Sequence, residues 1–341
     1  MALKPRLEFF RFTLRYRDNK YKTFRDFSQE ILGAPKTADD EKVLEFCFKH
    51  FLQQLKSGIA IDSSRKKRIG FEKKKSINRH FDKGPRFDSS SHTIFGVING
   101  GSFGQDRTLT NIEDEEDSSR IGLNKAVNMY FFFLAYVPPD HDQGLLMIHS
   151  NGRDENIVPM FRNFMMKVFS GKKFSKPDPE DFAPKAFQDE YKKSAVLKEF
   201  VFKNVVVDDI HSTDGIKQRS NAYSVRIEAK PLYGDVRGSE AEGVFSRLKG
   251  YLFGKDGDAK PLSEFNAQLV LEDEHGHSQK TFEWNAREVD FAPVVYLDGR
   301  VEKVNEDGTP DFDELRDFCQ ELLKSEILPE MRPDLDVAKV D

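Results

Sequence analysis

The stretch from residue 127 to residue 137 is apolar at almost every position, so it offers no polar face to water. Such a run is typical of a strand at the centre of a sheet, covered on both faces. Pro138 and Pro139 end it, and residues 144–149 have the pattern of a returning strand. We therefore predict that these two segments form a buried hairpin in the core.

Segments with helical spacing of apolar residues lie before and after this hairpin in the sequence. Apolar side chains recur every three or four positions in residues 39–57, which Thr37 or Asp39 would cap, and again in residues 157–169 and 312–323. The strand signals elsewhere come mostly as adjacent pairs joined by turns, which favours antiparallel pairing over strand–helix–strand alternation. The predicted fold class is mixed α+β, with mainly antiparallel sheets, packed helices and two subdomains.

The prolines between residues 176 and 184 mark the predicted domain boundary. Residues 1–175 would form an N-terminal α+β domain that includes a basic segment, residues 65–86. Residues 185–335 would form a C-terminal α+β domain with hairpins and the terminal helix. One of these hairpins is expected over residues 294–304, because Asp298-Gly299 is a strong turn signal.

Several features point to a cytoplasmic protein with no membrane segment. The longest uncharged apolar run, residues 129–137, has nine residues, about half of what a bilayer requires. The charged N-terminus lacks the apolar centre of a signal peptide. The two cysteines, Cys47 and Cys319, lie in apolar helical patterns far apart in the chain, which is not the spacing of a disulfide framework.

Charge is balanced overall but not locally. The chain has 53 basic and 58 acidic residues and a net charge of -5, so its global charge does not favour nucleic acid. The basic segment does favour nucleic acid, because its cations can bind phosphates and the phenylalanines among them can stack on bases. Its candidate nucleic-acid-binding residues are Arg65, Lys66, Lys67, Arg68, Lys73, Lys74, Lys75, Arg79, Lys83 and Arg86. A solvated linker, or pairing with the acidic block at residues 113–117, would explain them equally well.

A second candidate is the acidic pair Asp208-Asp209 followed by Glu228-Ala229-Lys230. On a strand, residues 228 and 230 share one face. The arrangement resembles that of restriction-endonuclease-type nucleases, although the usual proline before the acid is absent. The resemblance implies that Asp208, Asp209 and Glu228 hold Mg²⁺, and that Asp208, Glu228 and Lys230 are catalytic. Alternatively, these are charged residues paired across the exposed face of an antiparallel strand.

Other motifs are weaker. His275-Gly276-His277 has metal-ligand residue types, but it lies at a predicted turn with no third ligand fixed by spacing. The glycines between residues 96 and 104 lack the Lys-Ser/Thr ending of a P-loop. No Gly-x-Ser-x-Gly or Cys/His arrangement indicates a covalent hydrolase.

The sequence favours a macromolecule-binding protein, with nucleic acid as the expected partner of residues 65–86. It would be an accessory component of a larger assembly, such as a bacterial anti-phage defence system. That setting is suggested by association, because it would suit a charged cytoplasmic protein with no readable catalytic signature. One alternative is the Mg²⁺-dependent nuclease, and another is an oligomeric scaffold with a protein partner or a homo-oligomeric state.

Overall fold

A computed structural model gives the fold of this chain. It describes all residues except 1–4, 19–20, 56–58, 72–79, 115, 152–155, 214–215, 254–265, 273–278, 285–293, 307 and 336–341. At residues 59, 204–213, 216–225, 249, 253, 266, 280 and 283–284 it describes the backbone alone. The predicted class is confirmed, because helices accompany sheets whose strands pair antiparallel.

The strands, in chain order, are β1 (Arg6–Thr13), β2 (Ile59–Asp62), β3 (Lys67–Gly70), β4 (Arg86–Asp88), β5 (Thr93–Phe103), β6 (Arg107–Thr110), β7 (Ser118–Ile121), β8 (Ala126–Tyr136), β9 (Gln143–Ser150), β10 (Glu180–Phe182), β11 (Val196–Thr213), β12 (Ile216–Ala229), β13 (Asn266–Glu272), β14 (Gln279–Trp284) and β15 (Val295–Tyr296). The helices are α1 (Phe24–Ile31), α2 (Asp40–Gln54), α3 (Val158–Val168), α4 (Lys185–Ser194), α5 (Ala241–Phe253), α6 (Phe312–Leu322) and α7 (Leu328–Met331).

The chain divides into two compact units. The first contains Met1–Phe182 and Val294–Asp341, and the second contains Ala183–Pro293. The division near residue 182 falls within the proline-containing stretch. Residues 294–335, which the sequence prediction placed in the second domain, cluster with the first unit instead. The reason is non-local pairing: β15 joins the edge of β1, with Leu7 opposite Val295.

The predicted hairpin over residues 294–304 does not form. Val295 and Tyr296 pair with β1, and residues 298–300 form a turn. The Asp298-Gly299 turn therefore exists, but the strand before it has a partner far away in sequence. In its pairing with β1, Val295 is buried, at 3% exposure.

A large sheet organises the first unit. Its strands follow the order β10-β1-β9-β8-β5-β3-β2, with β15 added to β1 and β4 added to β5. The predicted central hairpin is confirmed as β8 and β9, paired from Phe133 opposite Ile148 to Tyr136 opposite Leu145. Residues 131–137 are all buried, as the apolar run requires.

One face of this sheet is covered by α1, α2 and α3. Alternate residues of each strand, such as Phe10, Phe133 and Ile148, enter one core with these helices. The predicted cap of α2 is confirmed at Asp39, whose carboxylate accepts from the Lys42 N–H (2.8 Å). Many of the buried side chains in this core are phenylalanines. Their large rings fill the space between the sheet and the helices and bury much apolar surface.

The opposite face carries the residues between those positions, and α6 packs against β8 there. Asp311 caps α6 by accepting from the N–H groups of Asp313 and Glu314 (both 3.0 Å). Phe312 is buried, and its ring centroid lies 6.0 Å from that of His149. The C-terminal segment therefore completes the first unit by covering the sheet face that the other helices leave open.

The second unit has a four-stranded sheet in the order β12-β11-β13-β14. Phe200 and Phe202 of β11 pack against Phe245 of α5, with ring centroids 5.7 Å apart in both pairs. β11 pairs with β13 over Val196–Lys203, and with β12 as far as Thr213 opposite Ile216. The β11–β12 ribbon therefore extends beyond β13.

Candidate nucleic-acid interface

The register of β11 and β12 separates the residues of the nuclease hypothesis. Asp208 lies opposite Ala222 and Asp209 opposite Asn221, whereas Glu228 lies opposite Val201. Glu228 is six residues along β12 from the partner of Asp208, and at the rise of a strand this is roughly 20 Å. The hairpin therefore does not bring Asp208 or Asp209 to Glu228, as shared coordination of one metal ion requires.

Glu228 and Lys230 belong to an exposed network of ion pairs. Arg226 Nη2 lies 2.9 Å from Glu228 Oε1, and Lys230 Nζ lies 3.2 Å from Glu199 Oε2 and 3.5 Å from Glu228 Oε2. The hydrogen bond to Glu199 raises the pKa of Lys230 above its ordinary value. A lysine held in its charged form by carboxylates matches the lateral pairing on a solvated strand face.

Most of the described cations of the basic segment contact other groups of the same chain. Lys67 Nζ donates to the Asn156 carbonyl oxygen (2.7 Å), and Arg68 donates to the Asn128 side-chain oxygen (3.2 Å). Lys83 Nζ lies 3.0 Å from an Asp313 carboxylate oxygen, and Arg86 stacks over the Phe95 ring at 5.3 Å.

Two further members, Arg65 and Lys66, are exposed at the turn between β2 and β3. Lys73, Lys74, Lys75 and Arg79 lie outside the described residues, as do His275 and His277. The described part of the segment is thus dispersed among structural contacts and does not present one row of cations.

A different set of cations lies close together next to the end of β1. Beyond this strand, residues 15–17 run beside residues 173–175: the Arg17 N–H donates to the Lys173 carbonyl oxygen (2.9 Å), and the Ser175 N–H donates to that of Arg15 (3.0 Å). We call the surface formed by residues 15–18, 21–22 and 172–176 the cationic surface. Two segments separated by at least 150 positions in sequence build it.

Successive side chains of an extended segment point to opposite faces, and this alternation orients the side chains of the cationic surface. Tyr16 and Phe174 face each other across an isolated bridge, with ring centroids 5.1 Å apart, and both pack on the phenylalanine core. Their neighbours Arg15, Arg17 and Lys173 consequently point to solvent and are exposed. An apolar anchor therefore fixes the backbone from which the cations project.

Aromatic groups lie among the cations. The Arg15 guanidinium sits 5.7 Å from the ring centroid of Tyr21, which is 64% exposed. Lys22 Nζ lies 5.2 Å from the ring centroid of Tyr16. An exposed tyrosine beside an arginine offers a flat surface on which a base can stack, within reach of a cation for the adjoining phosphate.

The surface is basic but not uniformly so. It has six cations, Arg15, Arg17, Lys22, Lys172, Lys173 and Lys176, against Asp18 and the adjoining Glu30 of α1. Glu30 accepts from Tyr16 and pairs with Lys173 (3.2 Å) and Lys22 (3.5 Å). The Tyr16 hydrogen bond, aided by Lys173 and Lys22, holds the pKa of Glu30 below its ordinary value. Glu30 is therefore charged at neutral pH and partly offsets two of the cations.

Sequence reasoning missed this surface because neither half is conspicuous alone. Residues 15–22 read as the end of a strand with alternating charge, and Lys172-Lys173 follows a helix stop at Gly171. The available signal was the alternation of Arg15, Tyr16 and Arg17, which predicts two outward arginines on one strand edge. Its counterpart at residues 172–176 becomes evident only when the two segments pair.

Comparison of the chain with protein-family models, curated proteins and solved structures found no match. Among the described residues, no group of three or more His, Cys, Asp or Glu side chains is placed to hold a metal ion. Over the same residues, no helix combines the length and apolar character needed to cross a bilayer. The chemistry of the cationic surface is therefore the basis on which a function is proposed.

Proposed function

We propose that this protein binds single-stranded nucleic acid through the cationic surface, as an accessory component of a larger assembly. The observation that carries the proposal is the outward orientation of Arg15, Arg17 and Lys173, enforced by the inward packing of Tyr16 and Phe174. Cations that project from two paired backbone segments lie near one another, so several of them can contact the phosphates of one strand. The exposed Tyr21 ring adds a stacking position, which favours single strands over duplexes.

Reversing two charges of the surface is expected to weaken binding strongly. Arg17→Glu with Lys172→Glu should lower the affinity for a labelled single-stranded oligonucleotide by about tenfold or more, because two attractive phosphate contacts become repulsive. Both residues are exposed, so the fold should be retained. Fluorescence anisotropy measures the affinity, and circular dichroism checks the fold.

The matched control uses the segment that the sequence favoured. Arg65→Glu with Lys66→Glu makes the same change in charge at two exposed residues of the β2–β3 turn. We expect its affinity to remain within about twofold of the wild type. An equal or larger loss in this control, or unaltered binding by the Arg17/Lys172 variant, would overturn the assignment to the cationic surface.

Removing an acid from the surface should have the opposite effect. Glu30→Gln keeps the side-chain shape but no longer offsets Lys173 and Lys22, so we expect the affinity for the same oligonucleotide to rise about threefold at low salt. The control is Glu45→Gln on α2, because Glu45 also binds two lysines, Lys42 (2.6 Å) and Lys49 (2.5 Å). Equal gains in both variants would indicate a general effect of net charge and not a local site.

A further inference from the structure

The strands β6 and β7 form a two-stranded ribbon that no third strand joins among the described residues. Six of its eight strand residues, 108–110 and 118–120, are exposed. Two strands without a covering layer are only marginally stable in water, and they become stable when a further surface packs on them. The ribbon is therefore an unpartnered surface. We call residues 106–121, which include its turn, the acidic arm.

Large apolar side chains of the acidic arm face water. Ile112, in the turn, is 99% exposed, and Leu109 of β6 is 55% exposed. The register places Leu109 opposite Ser119 on one face of the ribbon, and Thr108 opposite Arg120 on the other. Burial of a fully exposed isoleucine is favourable, because it removes apolar surface from water. The tip and one face of the arm can therefore gain stability from an apolar contact with a partner.

The turn also carries carboxylates that form no ion pair with a described cation. Residues 113–117 are all Asp or Glu, and the described members of this block are exposed. Asp117 accepts from the Asn111 amide (3.3 Å), and Asp114 accepts from the Glu116 N–H (3.1 Å), but neither donor is charged. Consecutive like charges repel one another, so a cationic partner would relieve that repulsion. The acidic arm thus combines an exposed isoleucine with an anionic edge.

The cationic surface has the complementary chemistry. Its Arg17 and Lys172 are exposed, and neither forms an ion pair with a described acid. Tyr21, which is 64% exposed beside Arg15, presents an aromatic ring. An arm with carboxylates next to Ile112 matches cations next to a tyrosine in both charge and polarity. We propose that the acidic arm of one copy of this protein docks on the cationic surface of a second copy.

Every copy carries both halves of this contact. Two copies can exchange arms about a two-fold axis, or successive copies can assemble head to tail. In either arrangement the carboxylates of the arm occupy the cations that a phosphate chain would use. Docking and nucleic-acid binding therefore exclude each other, a consequence that rests on the proposed function, whereas docking itself requires only the two surfaces. The charges are exposed, so rising salt should separate the copies.

Analytical ultracentrifugation of the full chain at a series of salt concentrations tests the proposal. We expect the wild type to self-associate at low salt and to dissociate as salt is added. An arm variant, Glu113→Lys with Asp114→Lys and Glu116→Lys, should associate at least about tenfold more weakly, because attraction becomes repulsion. Ile112→Ser keeps every charge and should also weaken association, by about tenfold, since it removes the apolar contact.

A charge exchange between two variants tests the pairing of these particular surfaces. A surface variant, Arg15→Glu with Arg17→Glu and Lys172→Glu, should associate as weakly as the arm variant. An equimolar mixture of the two should associate again, because the basic arm of one faces the acidic surface of the other. All substituted residues are exposed, and circular dichroism checks that the fold is retained. A mixture that associates no more than the separate variants would contradict the proposal.

The matched control is Asp189→Lys with Asp235→Lys and Glu242→Lys, which makes the same change in net charge at exposed acids of the second unit. It should associate as the wild type does, to within about twofold. A wild type that is monomeric at every salt concentration, or a control that dissociates as far as the arm variant, would overturn the docking proposal.

Fluorescence anisotropy measures oligonucleotide binding separately, so docking and the proposed function can fail independently. A wild type that associates but does not bind the oligonucleotide removes only the competition between the two. A wild type that binds the oligonucleotide without associating removes only docking.

Discussion

Replacing both Asp140 and Asp334 with asparagine is expected to lower the free energy of unfolding by about 3 kcal/mol, measured by urea titration at neutral pH. Arg332 is the reason. Its side chain is 3% exposed, and its guanidinium lies 3.1 Å from Asp140 and 2.8 Å from Asp334. The double substitution leaves a buried cation without either carboxylate, which costs far more than losing a surface ion pair.

The difference in burial between Arg332 and its two carboxylate partners gives a control variant. Asp140 and Asp334 are each more than half exposed, so water can solvate them if the arginine is removed. Arg332→Met should therefore destabilise the protein less than the double asparagine variant does. If the methionine variant is the less stable of the two, the guanidinium contributes mainly through packing and not through its charge.

The same contact predicts sensitivity to acid. The Arg332 hydrogen bond lowers the pKa of Asp334 to about 2. Burial alone would raise the pKa of Asp140, but the hydrogen bond and charge of Arg332 lower it. A carboxyl group with a lowered pKa stabilises the fold above its ordinary pKa, and that stability is lost as the pH falls from about 4 to about 2. The double asparagine variant should lose less stability over that interval than the wild type.

Phe133→Ala is the second substitution with a large expected effect, a loss of about 3–5 kcal/mol. Phe133 is fully buried, and its ring lies 5.5 Å from that of Phe51 on α2 and 5.0 Å from that of Phe161 on α3. Truncation would open a cavity where the sheet and two helices meet, in a core that cannot collapse without moving all three.

Phe133→Leu serves as its control, since it keeps most of the apolar volume and should cost about half as much or less. Urea unfolding with a constant slope for all three proteins would show that stability, and not the denatured state, has changed. A loss below about 1 kcal/mol for the alanine variant would contradict the central position assigned to β8.

Sequence patterns predicted the helices and strands whose formation depends mainly on residues close together in the chain. The helical spacing at residues 39–57 and 157–169 corresponds to α2 and α3, and the run ended by Pro138 corresponds to β8. The predictions that differ from the structure concern non-local contacts. β15 pairs with β1 across almost the whole chain, and no short-range signal distinguishes that pairing from the local hairpin expected at Asp298-Gly299.

The candidate sites show the same limit. The basic segment was visible because its charges are consecutive, yet Lys67 and Lys83 bind groups that lie far away in sequence. Arg17 and Lys173 were not visible as a pair, because only the backbone contact between their segments joins them. Charge density in a sequence therefore identified cations, whereas the fold decides which of them point outward together.

The most direct test of the nucleic-acid proposal is the salt dependence of single-strand binding, compared between the wild type and the Arg17/Lys172 variant. A plot of log affinity against log salt concentration falls by about 0.7 for each phosphate contact on a single strand. Loss of two contacts should make the slope shallower by about 1.4. A wild-type slope near zero, or the same slope for both proteins, would contradict the proposed role of the cationic surface.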